Sequence, residues 1–222
     1  MNAPSPLVIE TSTPHASIAR VAADGSTDQR GFHSDRNHNA LLFEPLRELM
    51  EQHGKPSLVL VGSGPGSYSG TRVGIAAAQG VAIAIGCPAV AVPSILAVPA
   101  AANGARCLAI GDARRGSFWT AKIGNFRLLE DPSLCDATEL ERRIARALAE
   151  GLAVFSFEQT TRFPLPDALT APIKIETPDA TRLWQAWCGS DEETRRKWSA
   201  EIPQPLYLKP PHITPAKRPW LI

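Results

Sequence analysis

The stretch VGSGPGSYSGTRVGIAAAQGVAIAIG, residues 61–86, reads as the end of a strand, a glycine-rich turn and a long apolar helix. Residues 58–61 are apolar and β-prone, Gly62, Gly64, Pro65 and Gly66 break the strand, and Ser67 or Ser69 can cap the helix. Such a turn presents backbone N–H groups at the positive end of a helix, where an anion can sit. A phosphate loop, however, requires Gly-Lys-Ser/Thr at the helix start, and here Gly70 is followed by Thr71 and Arg72. The dinucleotide fingerprint fails as well, because Ser67 or Ser69 stands where its third glycine belongs. A structural turn is the favoured reading, and Glu10, Thr11, Ser12, Gly64, Gly66 and Ser67 are the candidates for a degenerate nucleotide site.

The helix after the turn is apolar nearly all round. Between residues 73 and 85 the only polar side chain is Gln79, and Gly70, Gly74, Ala77, Ala78 and Val81 repeat small residues at spacings of three and four. A helix of this kind is buried on both sides, in its own core or against another chain. Residues 37–53 form a second helix, with Leu42, Phe43, Leu46, Leu49 and Met50 in one arc, charges opposite, and a kink expected at Pro45. Together the two helices are expected to make a partner surface carried by His38, Leu42, Phe43, Leu46, Gly70, Arg72, Gly74 and Ala78. Gly74→Arg is then expected to split the complex.

Working outward, residues 7–9 start a strand that ends in Glu10-Thr11-Ser12, and residues 16–21 form a second. Asp24-Gly25 turns the chain into a third strand through Phe32, giving an antiparallel meander. Residues 89–92 add a buried strand, so strands and helices alternate as in an α/β sheet. The second half follows a similar pattern, with strands at 107–110, 117–123, 126–129 and 152–157 and a helix opened by Asp136 and closed by Gly151. Residues 159–178 read as a loop, Thr177 and Ser190 as caps of two short helices, and the proline-rich tail from Pro205, with Lys209, Lys217 and Arg218, as either a solvated extended tail or an arm that contacts a partner.

Composition narrows the function. With 23 basic against 22 acidic residues the chain has no global field to attract nucleic acid, so any RNA contact is local or delegated. The four cysteines, Cys87, Cys107, Cys135 and Cys188, form no C-x-x-C pair, which suits a reducing cytoplasm. No secretory signal is expected, and the uncharged stretch 81–102 is broken by Pro88, Pro93 and Pro99, so it reads as core rather than a membrane span. His33 and His38 have a spacing that suits no helical ligand pair, and no metal is expected. No hydrolase elbow, zinc-protease or kinase signature occurs. The residues alone leave two candidates, a degenerate nucleotide-binding enzyme and a scaffold that buries its helices against another chain.

Four segments in order, LVIETSTPHASIARVAADG, HNALLFEP, GPGSYSGTRVGIAAAQGVAIAIG and AIGDARRGSFWTA, resemble the landmarks of the TsaB (YeaZ) family, and PLYLK at Pro205 resembles its terminal segment. The resemblance implies an α/β, ASKHA-type actin-like fold of two RNase H-like lobes, expected at 1–102 and 103–222. It implies a non-catalytic dimerisation subunit for making N6-threonylcarbamoyladenosine at position 37 of tRNAs reading ANN codons. The implied partners are TsaD in a heterodimer, the ATPase TsaE, a homodimer when TsaD is absent, and tRNA only through the complex. No intrinsic cofactor is implied, with ATP or ADP and Mg²⁺ in the assembled complex; the alternative is a degenerate ASKHA-type phosphotransferase or ATPase. The sequence departs from the family at Glu10 (usually aspartate), His38-Asn39 (usually His-Ser) and Ser69 (usually threonine), and Gly111 looks inserted. The longer Glu10 weakens any independent nucleotide chemistry, which needs strand-end carboxylates placed for Mg²⁺.

Overall fold

A computed structural model describes residues 5–34 and 38–208, with the backbone alone at 38–40. Two mixed sheets with closely matching wiring organise the chain. In the first, β1 (Leu7–Glu10), β2 (His15–Val21) and β3 (Thr27–His33) form the antiparallel meander; α1 (His38–His53), β4 (Val59–Gly62), α2 (Tyr68–Ile85) and β5 (Ala89–Val92) follow. Strand order is β3-β2-β1-β4-β5, with β4 parallel to both β1 and β5. In the second, β6 (Cys107–Asp112), β7 (Phe118–Gly124) and β8 (Arg127–Leu128) form the meander, with β9 (Ser133–Cys135) beside β7. Helix α3 (Ala137–Ala149), β10 (Ala153–Ser156), α4 (Asp167–Thr170) and β11 (Lys174–Ile175) complete it in the order β11-β10-β6-β7-β8. Helices α5 (Ala180–Gly189) and α6 (Glu192–Ala200) then return to the first sheet, α5 packing on β1, β2 and β4 and α6 on β5.

Strand alternation assigns the layers. On β1, Leu7 and Ile9 face an outer core shared with Leu42, Leu46 and Leu49 of α1 and Ile75, Ala78 and Ala82 of α2, whereas Val8 faces inward. The inner core spans both sheets: Val8, Leu60, Val92, Ala109, Ala121 and Phe155 belong to one cluster with Leu183 and Ala186 of α5. A third core holds α3 on the second sheet through Leu140 and Ile144.

The local chemistry explains the boundaries. Ser67 caps α2 by accepting from Gly70 N–H, and Gly86 ends it in the left-handed conformation at φ 78°. The stretch 81–102 resolves into the end of α2, β5 and two short 3-10 turns, and among the described residues no helix is long and apolar enough to cross a membrane. The caps of α5 and α6 are Asp179 and Asp191 rather than the expected Thr177 and Ser190; each carboxylate accepts from the N–H three residues on. α4 and β11 lie within 159–178, which the sequence reads as loop, β9 lies in a stretch it leaves unassigned, and the basic tail residues Lys209, Lys217 and Arg218 lie outside the described residues.

Candidate functional site

The glycine turn is folded shut against the end of β1. Gly64 N–H donates to Ser94 Oγ at 3.0 Å, Ser67 N–H to Ser12 O at 2.6 Å and Gly70 N–H to Ser67 Oγ at 3.2 Å, so three donors that could face an anion are committed within the chain. Thr11 Oγ1 donates to Gly70 O at 2.8 Å. A Cβ on Gly66 would overlap Ser12 O, so glycine is required for this closure. Glu10 is fully buried; its Oε1 accepts from Ser12 N–H at 2.7 Å, and its Oε2 tucks against Gly62, where a Cβ would overlap it. Burial raises the Glu10 pKa and favours the neutral acid. A buried carboxyl and a turn with committed donors do not fit a Mg²⁺–nucleotide cradle. Of the six nucleotide candidates, only Ser12, Gly66 and Ser67 line an open space.

That space is a cleft of about 900 Å³ between the α2 start and the β6–β7 turn, lined by Tyr68 and Arg72 on one side and Asp112, Trp119 and Glu158 on the other. Asp112 N–H donates to Glu158 Oε2 at 2.7 Å, Arg114 donates to Asp112 at 3.0 Å, and burial raises the Glu158 pKa. Gly111, which looks inserted in the sequence, pairs with Trp119 across the strands, and a Cβ there would overlap the indole; it lets Trp119 lie over β6. Residues 205–208 also line the cleft, and the segment is held there: Leu206 N–H donates to Ser63 O at 2.9 Å, Gln79 Nε2 to Pro203 O at 3.0 Å, and Arg72 Nε and Nη2 to Tyr207 OH at 3.1 and 2.8 Å. The Arg72 guanidinium also lies 3.7 Å over the Tyr68 ring.

The structure divides the expected partner surface in two. Leu42, Leu46, Gly70, Gly74 and Ala78 are buried in the chain's own core, and a Cβ on Gly74 would overlap Thr11 Oγ1. The Gly70, Gly74 and Ala78 part of the small-residue stripe therefore packs inward, with Thr11 and Ile9 against Gly74, whereas Ala77 and Val81 line the apolar groove, and Gly74→Arg is corrected from an interface probe to a core disruption. Phe43 and Arg72 remain exposed, and the His38 side chain lies outside the described residues. The opposite face of α2 is the bare one: Val73, Ala76, Gly80 and Ala84 line a shallow apolar groove with Phe43 of α1, and Ile83 on the same helix is 84% exposed. The sequence reading put Gly70, Gly74 and Ala78 on an outward face; the structure buries them and leaves Ala76, Gly80, Ile83 and Ala84 exposed.

The family described as TsaD: tRNA N6-adenosine threonylcarbamoyltransferase matches residues 27–180, well over half of the chain. The chain belongs to this family, in its TsaB (YeaZ) group. The "tRNA threonylcarbamoyladenosine biosynthesis protein TsaB" of Escherichia coli (strain K12) is 31% identical over 124 residues, 52% of this chain and 53% of that protein. The match thus spans about half the length of the curated relative. A solved Pseudomonas aeruginosa protein with similarity to peptidase YEAZ superposes with TM-score 0.71 at 22% identity, over 93% of this chain and 100% of that one. YeaZ from Pseudomonas aeruginosa superposes with TM-score 0.67 at 21% identity, over 92% and 100%. These likenesses establish the actin-like, RNase H-like fold.

Two features of this TsaB-group chain escape a sequence reading. The strap at residues 203–208 meets α2 across 124 to 135 positions of sequence, so no local pattern announces it. His33 meets His15, its cross-strand neighbour, at 3.3 Å between Nδ1 atoms, a pairing that only strand register reveals. Among the described residues no group of three or more His, Cys, Asp or Glu side chains gathers as a metal site.

Proposed function

We propose that this chain is the non-catalytic dimerisation subunit of the machinery that makes N6-threonylcarbamoyladenosine at position 37 of tRNAs reading ANN codons. It acts in the cytoplasm through TsaD, with TsaE and tRNA joining the assembled complex and ATP or ADP with Mg²⁺ bound there rather than by this chain alone. The observation that carries this reading is the bare apolar groove between α1 and α2. Contiguous apolar surface of this kind is a docking face, and Arg72, one turn into α2, and exposed Phe43 supply the arginine and aromatic groups that dominate such contacts. The chain matches a family model that bears TsaD's name, so it would meet TsaD as a divergent copy of itself. One groove then serves the heterodimer and, when TsaD is absent, a homodimer. The closed glycine turn and buried Glu10 argue against the alternative of an independent phosphotransferase.

Reconstitution tests this. TsaD, TsaE and the synthase product should transfer almost no threonylcarbamoyl group to tRNA until this chain is added, and the chain alone should hydrolyse negligible ATP. Full transfer without it would refute the scaffold role; ATP turnover by the chain alone, abolished in Glu10→Gln, would establish the phosphotransferase reading instead.

A further inference from the structure

We infer that the C-terminal strap, residues 203–208, is the second half of the partner surface, and that it holds Arg72 ready for a carboxylate on a partner protein beside the apolar groove; this rests on the groove being a docking face. Arg72 borders both the groove and the cleft. Its position is fixed from two sides. The ring of Tyr68, one turn earlier on α2, lies beneath the guanidinium at 3.7 Å, and the hydroxyl of Tyr207 accepts from both Nε and Nη2 at 3.1 and 2.8 Å. Two further bonds pin the strap, from Gln79 of α2 to Pro203 and from Leu206 to Ser63 in the glycine turn, and Gln79 is the one polar side chain in the helix's apolar run.

The charge is the informative part. Both aromatic neighbours are neutral hydrogen-bonding or stacking groups, and among the described residues Arg72 forms no ion pair, whereas Arg47 on the charged side of α1 holds Glu44 at 2.6 Å and Glu51 at 2.7 Å. A permanently charged, pre-aligned guanidinium on the rim of an apolar groove selects a planar carboxylate. The partner that fits is therefore a protein presenting an apolar helix with an Asp or Glu at one end. Tyr68 and Tyr207 are 61% and 51% exposed and extend the contact face toward the cleft.

The test uses the full chain with the TsaD-type protein of the same organism, and reads Kd by calorimetry and strap protection by hydrogen exchange. Tyr207→Phe deletes only the acceptor of Arg72 and should weaken binding by about tenfold, the usual scale for a charge-assisted hydrogen bond. Arg72→Glu should weaken it further, and residues 203–208 should gain protection when the partner binds. Phe43→Asp in the groove serves as the control. If Phe43→Asp weakens binding but Tyr207→Phe and Arg72→Glu leave Kd unchanged and the strap gains no protection, this inference fails while the groove stands. If Phe43→Asp also has no effect, the docking reading itself fails. Circular dichroism of each variant establishes that it is folded.

Discussion

The two halves of the molecule share a wiring, a three-strand meander, a helix, a parallel strand, a second helix and another parallel strand, yet they treat their outer helices oppositely. In the first half α1 and α2 run for 16 and 18 residues; at the same places the second half has α3 of 13 residues and α4 of only 4. Helix α3 buries Leu140, Ile144 and Ala147 and closes its exposed face with ion pairs of Glu139 to Arg142 and Arg143 and of Arg146 to Glu150. Helix α2 buries a comparable stripe through Gly74, Ile75, Ala78 and Ala82, then repeats apolar residues on the face that water should see. One helix is finished as a surface; the other leaves an apolar face exposed, the face that the proposed docking would cover.

The sharpest break in that comparison lies within α2. Gly74 and Gly80 sit six residues apart in the same helix, but a Cβ at Gly74 would overlap Thr11 Oγ1 while one at Gly80 meets nothing within 4 Å. Thr11 cannot easily yield, since its hydroxyl is bonded to Gly70 O at 2.8 Å. Gly74→Arg is expected to prevent folding, and even Gly74→Ala should destabilise by about 1–3 kcal/mol through overpacking. Gly80→Ala should stabilise by about 0.5–1 kcal/mol, because alanine is the better helix former where space is open. Urea unfolding of the two alanine variants checks this; similar values for both would mean that the two faces of α2 are not distinct.

A good part of this was legible in sequence, and the rest failed for identifiable reasons. The glycine turn, the two long helices and the meanders read correctly because glycine, capping serine and apolar period are local signals. β9 and β11 escaped because strands of three and two residues with mostly exposed side chains carry no alternation. The face of α2 was misassigned because small residues mark a close approach without saying by what, and here β1 takes that place. Phe43 fell in the same apolar arc as Leu42 and Leu46, yet it is 58% exposed while they are buried, since an arc that wide runs past the sheet edge. Arg72 was picked out by sequence; its hold on Tyr207 could come only from the fold.

The same charge can be placed on both outer helices. Ile83→Glu on α2 and Ala145→Glu on α3 replace exposed residues, so neither should change the melting temperature by more than about 1–2 °C. Association with TsaD should separate them. Ile83→Glu is expected to weaken Kd by about tenfold, as a charge placed beside an apolar contact does, and Ala145→Glu should leave it unchanged. Equal effects would show that the partner does not distinguish α2 from α3, and the contrast between the halves would lose its functional meaning.

The smallest expected effect belongs to the finished helix. Glu139 is the third residue of α3 after its cap Asp136, where a negative charge suits the helix dipole, and hydrogen bonds from Arg142 and Arg143 lower its pKa to about 2. A carboxylate whose pKa is depressed on folding contributes stability above its unfolded pKa and loses it as pH falls through the folded value. The contribution of Glu139 is therefore complete above its ordinary value of 4.5 and disappears as pH drops toward about 2. Because the group is on the surface, salt and solvent screen it, and Glu139→Gln should lower the melting temperature at pH 7 by only about 1 °C. The difference between variant and parent should shrink below pH 4.5 and on adding salt. Helix α2 has no acidic residue in its first turn, so the same titration should leave its own stability without a matching step. A gap that persists to pH 2, or one that grows with salt, would mean that Glu139 acts by packing rather than by charge, and α3 would then owe its closed surface to something other than its ion pairs.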